Sequence, residues 1–284
     1  MYEIKEKSEI FNVHKMVIMA PEIANSIQAG QFVIVMGNEQ SERIPLTVSN
    51  WNIDTGTITI YVLEVGLSTL ELARMKVGDS IYAVTGPLGV PSEIKQYGTI
   101  VLGGGCYGIG GIYPIAKACK EAGNKIISII EARYRAMFYH EKELHSVSDQ
   151  VLYATSDGSK GVKGKVEDVI GKMLEKGIKI DHAFFIGCTQ MLERCSEVTR
   201  PYAIPTRVAL NSIMLDGTGM CGACRVSVGG ETKFACVDGP EFDGHKVDWK
   251  ELYQRKSAYA EPETVVYQTY SHECMAEKKL REKL

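Results

Sequence analysis

The chain has 284 residues, of which 45% are hydrophobic and 24% charged, and its formal net charge is -3 at pH 7. This length predicts two or three domains, and the near-neutral charge excludes the basic surface that nucleic-acid binding needs. The first residues are charged, and no run of eighteen apolar residues occurs. We therefore expect no secretion signal, no membrane span and a cytoplasmic protein.

Residues 1–97 contain several strand-like segments. They are rich in β-branched residues, partly alternate in polarity and read EIFNVHKMVIMA, GQFVIVMG, TGTITIYVLEV and GDSIYAV. This pattern predicts an antiparallel sheet or a small barrel. One helix is expected at 68–75, with Ser68 as its N-cap and Glu71 completing a capping box.

From residue 98 to 205, strand-like and helix-like segments alternate. In chain order they read TIVLGG, IYPIAKACKEAG, KIISIIEA, QVLYAT, VEDVIGKMLEKG and HAFFIG. Such alternation predicts a parallel sheet with helices packed against it. Gly123 and Gly177 follow the two longer helical segments, where a left-handed C-cap residue is expected.

The remainder of the chain forms two further segments. Residues 206–248 contain a short strand, a cysteine-rich loop and a predicted hairpin that turns at Gly229–Gly230. Residues 249–284 are charged and tyrosine-containing, and we expect them to form a packed arm or a tail that faces a partner. The predicted domains are therefore 1–97, 98–205 and 206–248, followed by an arm at 249–284.

A glycine-rich turn, GGGCYGIGG, occupies residues 103–111 between a predicted strand and a helix. Glycines there would let backbone amides approach a pyrophosphate at the helix N-terminus, although a tight strand-to-helix turn would need glycines as well. The next strand ends at Glu131 and Arg133. The acid would bind the ribose of NAD(H) and the arginine a 2′-phosphate of NADP(H); a solvated strand end is the alternative.

The segment RIPLTVSN, residues 43–50, carries an arginine and two small hydroxyl residues near the start of a strand. The arginine could pair with a phosphate, and the hydroxyl groups could bond to the edge of an isoalloxazine ring. By itself the segment is also compatible with an ordinary strand that has a proline near its start.

Three of the eight cysteines cluster in a loop that reads MLDGTGMCGAC and continues to Cys236. Asp216, Cys221 and Cys224 follow the D-x4-C-x2-C pattern, which is the plant-type [2Fe-2S] spacing with aspartate in the first position. The spacing favours a [2Fe-2S] cluster with Asp216 as the fourth ligand. The alternatives are a zinc site, a different fourth ligand with Asp216 as a turn residue, and a redox-active thiol pair.

Taken together and in this order, these motifs resemble the electron-transfer subunits of the ferredoxin-NADP reductase superfamily that end in a [2Fe-2S] domain. The resemblance covers about residues 3–248 and includes GQFV, RIPLT, VGLST, GPLG, GGGCYGIGG, TSDGSKGVKG and the cysteine loop. Members serve dihydroorotate dehydrogenase B, sulfide dehydrogenase or NADH-dependent reduced ferredoxin:NADP oxidoreductase. The aspartate at 216 is similar to the last type, because the dihydroorotate type uses four cysteines.

The resemblance implies an N-terminal FAD barrel, a central NAD(H) domain and a C-terminal cluster domain. The implied FAD residues are Arg43, Pro45, Leu46, Thr47, Ser49, Glu64, Gly66, Ser68, Thr69 and Gly86. The implied nicotinamide-nucleotide residues are Gly104, Gly105, Gly108, Gly110, Glu131, Arg133, Asp157, Gly187, Cys188 and Met191. The implied cluster ligands are Asp216, Cys221, Cys224 and Cys236. Ile44 separates Arg43 from the proline, whereas many relatives place arginine directly before it.

The resemblance also implies an electron path and a partner. NADH would reduce FAD, FAD would reduce the cluster, and no side chain would act as an acid or base. The partner would be a larger flavin and [4Fe-4S] subunit, forming a heterodimer that handles ferredoxin and NADP(H) and is capable of electron bifurcation. A non-catalytic flavin- or zinc-binding regulatory module is the alternative from another functional class.

Overall fold

The computed structural model describes residues 2–259 together with residues 261 and 262. The part of the predicted arm beyond residue 262 lies outside the described residues. Within the described part of the chain, no helix has the length and apolar character needed to cross a bilayer.

The N-terminal sheet has seven antiparallel strands and curls into a nearly closed barrel. They are Tyr2–Ile10 (β1), Val13–Met19 (β2), Phe32–Met36 (β3), Ile44–Asn52 (β4), Thr57–Leu63 (β5), Ser80–Ile81 (β6) and Ala83–Leu88 (β7). Their order is β6-β1-β2-β5-β4-β3-β7, so β6 and β7 lie at opposite edges although they are adjacent in the chain. Ile18, Ile58 and Ile60 are fully buried inside it. The predicted antiparallel barrel is confirmed.

Two helices accompany the barrel, Pro21–Ala24 (α1) and Leu67–Arg74 (α2). The predicted capping box of α2 is wrong. The helix begins after Gly66, and the Thr69 hydroxyl oxygen accepts the backbone N–H of Gly66 at 3.0 Å. Ser68 and Glu71 instead bond to residues of the 38–42 loop. Thr69 takes the capping role because its hydroxyl reaches back over the first turn.

The central sheet is parallel over six strands. They are Thr99–Gly105 (β8), Lys125–Ala132 (β9), Gln150–Thr155 (β10), Val162–Lys163 (β11), His182–Ile186 (β12) and Thr206–Ala209 (β13), in the order β11-β10-β9-β8-β12-β13. From β8, the strands β9, β10 and β11 are added in turn on one side, and the chain then crosses back to place β12 and β13 on the other side of β8. The order therefore reverses between β8 and β12, which is where open parallel sheets bind ligands.

Four helices cover the two faces of this sheet, as expected from its alternating sequence. They are Gly108–Glu121 (α3), Glu141–Val147 (α4), Val166–Glu175 (α5) and Thr189–Thr199 (α6). Side chains of α3 and α4 pack on one face, and those of α5 and α6 pack on the other. Short 3-10 turns lie at Arg135–Met137, Arg200–Tyr202 and Ser257–Tyr259. Gly123 and Gly177 have positive φ angles of 85° and 72°, which confirms the predicted C-caps.

The C-terminal segment contains the hairpin Arg225–Val228 (β14) and Glu231–Phe234 (β15), then Glu241–Asp243 (β16) and Trp249–Lys256 (α7). The predicted hairpin turn is confirmed, with φ angles of 62° and 82° at Gly229 and Gly230. β13 pairs with β12, and β16 adds an antiparallel edge to β13. Two strands that follow residue 205, β13 and β16, therefore belong to the central sheet, so this sheet extends past the predicted boundary at 205/206.

One hydrophobic cluster runs through all three parts of the molecule. It includes Phe32 and Ile34 of the barrel, Phe185 of the central sheet, and Met214 and Cys224 of the cysteine loop. The three parts are therefore packed together by a shared core.

Candidate functional site

A cavity of about 290 Å³ lies between the barrel and the carboxyl edge of the central sheet. Five of the predicted FAD residues line it, namely Pro45, Leu46, Thr47, Ser49 and Thr69. Its other walls come from β5, the start of α3, the end of β12 and the segment that leads into the cysteine loop. They include Tyr61, Leu63, Tyr107, Gly111, Ile186, Leu210, Asn211 and Met214. The walls are mostly apolar with a few hydroxyl and amide groups, which suits a flat aromatic ligand.

The other predicted FAD residues do not line this cavity. Arg43 is exposed just before β4, and the hydroxyl of Ser68 donates to Glu42 at 3.3 Å. The carboxylate of Glu64 lies 3.3 Å from the buried ring of His14. Gly66 precedes α2, and a Cβ on Gly86 would come within 2.7 Å of the Val33 side chain. The FAD contacts of all ten residues remain predictions.

Tyr61 connects the cavity to the domain of the central sheet, and it belongs to none of the sequence motifs. Its hydroxyl forms a hydrogen bond of 2.7 Å with Nδ1 of His140, across 79 residues of chain. The His140 side chain is only 3% exposed, and the residue has a positive φ of 59°. Burial lowers the pKa of His140 to about 4, so the ring is neutral at pH 7.

The glycines of the turn between β8 and α3 are required by packing. A Cβ on Gly108 would lie 1.9 Å from the carbonyl oxygen of Ile186, and one on Gly104 would lie 2.9 Å from the carbonyl oxygen of Gly108. A Cβ on Gly110 would lie 2.4 Å from the Tyr61 ring. Because protein atoms fill these positions, the tight-turn interpretation explains the three glycines without a nucleotide. Their nucleotide contacts remain a prediction.

Two tyrosines that sequence reasoning missed hold this turn in place. The Tyr107 hydroxyl donates to the carbonyl of Gly187 at 2.7 Å. The Tyr139 hydroxyl donates to the carbonyl of Cys106 at 2.8 Å, and the backbone at Cys106 has a positive φ of 53°. Tyr107 is itself part of the glycine-rich motif, whereas Tyr139 lies far along the chain and carried no signal.

The two central strands end side by side at this point. Ideal Cβ atoms on Gly105 and Gly187 would lie 2.8 Å and 2.6 Å from the sulfur of Met191, which is buried beneath both. Cys188 directly precedes α6 and is exposed. Gly105, Gly187, Cys188 and Met191 are thus brought together at the reversal of strand order, where a nucleotide is expected.

The nucleotide residues predicted near the ends of β9 and β10 differ in exposure. Glu131 is buried, and its carboxylate accepts the backbone N–H of Val166 at 2.9 Å. Burial is the main reason that the pKa of Glu131 is raised. Arg133 and Asp157 are exposed, and Asp157 accepts hydrogen bonds from Ser159. Glu131 therefore already binds the start of α5, and its predicted ribose contact would use a lone pair that this bond leaves free.

The cysteine loop presents its four predicted ligands as two pairs. Cys224 and Cys236 are buried, with their sulfur atoms 3.2 Å apart. Cys221 is exposed and Asp216 is half-buried, and the Asp216 carboxylate accepts the N–H groups of Cys221 and Thr218 at 2.9 Å each. In the described part of the chain, no three His, Cys, Asp or Glu side chains are gathered to hold one metal ion. Each oxygen of the Asp216 carboxylate accepts one N–H group, which leaves a lone pair on each oxygen for a metal ion.

The backbone conformation of the cysteine loop also suits close contact with a bound cluster. Gly217, Gly219 and Gly222 have positive φ angles of 78°, 85° and 66°. Such conformations favour glycine and turn successive amides toward the inside of a loop. The loop can therefore bring backbone N–H groups close to a bound anionic centre.

Comparison with known proteins shows similarity over nearly the whole chain. Residues 211–248 match the family model described as the iron-sulfur cluster binding domain of dihydroorotate dehydrogenase B. The chain is 46% identical to a Thermotoga maritima protein named dihydroorotate dehydrogenase B (NAD(+)), electron transfer subunit homolog, over 89% of each protein. It is 32% identical to the dihydroorotate dehydrogenase B (NAD(+)) electron transfer subunit of Bacillus caldolyticus, over 78% of this chain and 86% of that protein.

Solved structures show similarity at two levels. A chain from the NADH-dependent reduced ferredoxin-NADP oxidoreductase structure, described in connection with flavin-based electron bifurcation, is 42% identical. It superposes with a TM-score of 0.91 over 96% of this chain and 98% of that chain. A Neisseria gonorrhoeae ferredoxin NADP+ reductase with bound FAD and NADP superposes with a TM-score of 0.57 at 13% identity, over 71% of this chain and 90% of that chain. The second likeness supports the shared fold alone.

Proposed function

The chain belongs to the family of dihydroorotate dehydrogenase B electron-transfer subunits and their homologues, and from this premise we propose that it transfers electrons between NAD(H), FAD and a [2Fe-2S] cluster. It acts as the NAD(P)H-dependent flavin and iron-sulfur subunit of an oxidoreductase. The electrons pass to or from a larger partner subunit.

The cavity between the domains is the observation that carries this proposal. Its walls include β4 of the barrel, Gly111 in the first turn of α3, and Met214 two residues before Asp216. A single site thus borders the predicted nucleotide turn and the predicted cluster loop. A ligand there would be able to exchange electrons with both neighbours.

The cavity residues fit a flavin and need no acid or base. Pro45 and Leu46 supply apolar walls, while Thr47 and Ser49 supply hydroxyl groups; Ser49 already donates to the carbonyl of Gly110 at 2.6 Å. A flavin can accept two electrons as one hydride and release them one at a time. The protein positions the ligand, excludes water and sets the polarity around it.

The cysteine loop fits a two-iron centre better than a single ion. Each iron of a [2Fe-2S] cluster takes two protein ligands. The close Cys224–Cys236 pair would serve one iron, and the hydrogen-bonded Asp216 and Cys221 would serve the other. The two-and-two grouping supports Asp216, rather than a more distant residue, as the fourth ligand.

We assign the complex to the NADH-dependent reduced ferredoxin:NADP oxidoreductase type. Support comes from the 42% identity and near-complete mutual coverage with a chain of that structure, and from aspartate at 216. The partner would then be a larger flavin and [4Fe-4S] subunit that contacts ferredoxin and NADP(H). The second candidate is the electron-transfer subunit of dihydroorotate dehydrogenase B, supported by the name of the 46% identical relative.

The first test is spectroscopic and uses the full chain purified without oxygen. We expect flavin absorbance, iron-sulfur absorbance and an EPR signal after reduction with NADH. If the protein contains bound zinc but neither chromophore, the proposal is refuted and a regulatory module is supported. Co-purification from the native source would identify the partner, and a dihydroorotate-oxidising subunit there would favour the second candidate.

The ligand assignment is tested by Asp216→Asn, which retains an oxygen for the turn but removes the carboxylate charge. We expect the cluster EPR signal to be lost or altered while FAD stays bound. The control is Cys119→Ala, which removes a buried thiol of α3 far from the loop along the chain. An unchanged signal in Asp216→Asn would show that another residue is the ligand.

A further inference from the structure

Two arginines donate to the two residues that separate Cys221 from Cys224. Nη1 of Arg225 donates to the carbonyl of Gly222 at 3.0 Å. Nη2 of Arg255 donates to the carbonyl of Ala223 at 3.2 Å. The first arginine belongs to β14 and directly follows the loop, whereas the second comes from α7, 30 residues further along the chain.

Helix α7 is firmly attached to the rest of the molecule. Trp249 and Leu252 are buried in the core shared by the three parts, and the Tyr253 hydroxyl donates to Glu193 at 2.8 Å. At the end of the helix, the ammonium of Lys256 donates to the Thr189 hydroxyl of α6 at 2.8 Å. Arg255 is therefore held against the loop by contacts on both of its sides.

The Arg255 guanidinium has unused hydrogen-bonding capacity at this position. Its Nε atom is buried and has no hydrogen-bond partner among the described residues. A buried donor without a partner is costly unless another group accepts from it. Because the neighbouring Nη2 already bonds to the cysteine turn, an anionic centre in that turn would offset part of this cost.

The proposed ligands make the loop strongly negative. Three thiolates and one carboxylate contribute four negative charges, the two ferric ions and two sulfides contribute two positive charges, and the site therefore has a net charge of -2. One electron changes this charge to -3. A fixed positive charge stabilises the more negative state, and net charge and hydrogen bonding are established determinants of cluster potential.

We propose that Arg255, together with Arg225, is a positioning residue that holds the Cys221–Cys224 turn and raises the reduction potential of the cluster. This inference rests on the proposed function. It gives the C-terminal segment a role, since α7 supplies a cation that the cysteine loop does not itself contain.

The test is an EPR-monitored redox titration of the full chain and of three variants. Arg255→Gln keeps amide donors but removes the charge, and we expect its cluster to bind an electron about tenfold more weakly, a fall of about 59 mV for a one-electron couple. Arg255→Lys keeps the charge and is expected to stay near the wild-type potential. Lys250→Gln removes one positive charge from the exposed side of the same helix and serves as the matched control.

The outcomes distinguish a failure of this inference from a failure of the proposed function. Equal potentials in Arg255→Gln and Lys250→Gln, with the cluster present in both, would overturn the inference and leave the proposed function intact. Absence of a cluster from the wild-type chain would overturn both. If Arg255→Gln fails to fold, Arg225→Gln provides the second measurement, where a lowered potential supports the inference and an unchanged one overturns it.

Discussion

Replacing Gly108 with alanine tests whether the glycine-rich turn is shaped by packing or by a nucleotide. The added Cβ would lie 1.9 Å from the carbonyl oxygen of Ile186 and 2.4 Å from its carbonyl carbon. These are backbone atoms of β12, a strand paired on both sides in the middle of the sheet. Relief of the overlap therefore requires the start of α3 to move.

The expected loss follows from two opposing effects. Overpacking of a well-ordered interior costs about 1–3 kcal/mol and occasionally more, while alanine in a helix interior is favoured over glycine by about 1 kcal/mol. The overlap at Gly108 is with backbone, and the residue lies at the helix start, where the propensity gain is smallest. We expect a net decrease of about 1–3 kcal/mol in the free energy of unfolding.

Urea unfolding of the protein, followed by circular dichroism with no added nucleotide, measures this change. The matched control is Gly171→Ala in the middle of α5, where the nearest atom to the new Cβ is 4.0 Å away. We expect the control to be more stable than the wild type by about 0.5–1 kcal/mol. Wild-type stability of Gly108→Ala together with weakened NADH binding would refute the packing explanation and favour the nucleotide role.

Three further predictions follow from the site. Tyr61→Phe should lower the free energy of unfolding by about 1–3 kcal/mol, because Nδ1 of His140 would lose its partner while buried. The control is Tyr113→Phe, whose ring contacts the same imidazole and which should lower the free energy of unfolding less. Equal losses in the two variants, measured by denaturant unfolding, would contradict the prediction. The stability that His140 provides as a neutral ring should be complete above about pH 6.5 and be lost as the pH falls toward its folded-state pKa of about 4, by roughly 3 kcal/mol. Urea midpoints measured across this range should fall less in His140→Gln than in the wild type or in the exposed control His145→Gln. Glu131→Gln should keep the preference for NADH over NADPH in stopped-flow reduction, because the glutamine oxygen can still accept the Val166 N–H; a tenfold rise in the KM for NADH, equivalent to about 1.4 kcal/mol, would instead indicate a direct ribose contact.

Local patterns predicted the elements of this fold well. The hairpin at Gly229–Gly230 and the helix ends at Gly123 and Gly177 depend on glycines that accept positive φ angles, a property visible in the sequence itself. The cap of α2 was misassigned because Ser68 and Thr69 are adjacent hydroxyl residues, and only the helix start decides which one reaches back.

Pairings between distant segments could not be predicted in the same way. The bond between Tyr61 and His140 joins two domains, and neither residue belongs to a motif. The addition of β13 and β16 to the central sheet depends on which strands become neighbours, and the polarity of a single segment does not specify its partner. Glu131 stands at the position of a ribose-binding acid, yet its burial against α5 became visible only in three dimensions.

The core shared by the barrel, the central sheet and the cysteine loop also constrains the kinetics of electron transfer. Electron tunnelling slows steeply as the gap between donor and acceptor widens, and domains joined by small polar contacts would let that gap fluctuate. Here Ile34 of the barrel packs in the same cluster as Met214 and Cys224, so the cavity and the loop are held at a set separation. Substitutions that leave this core intact would therefore change the driving force for transfer more than the tunnelling distance.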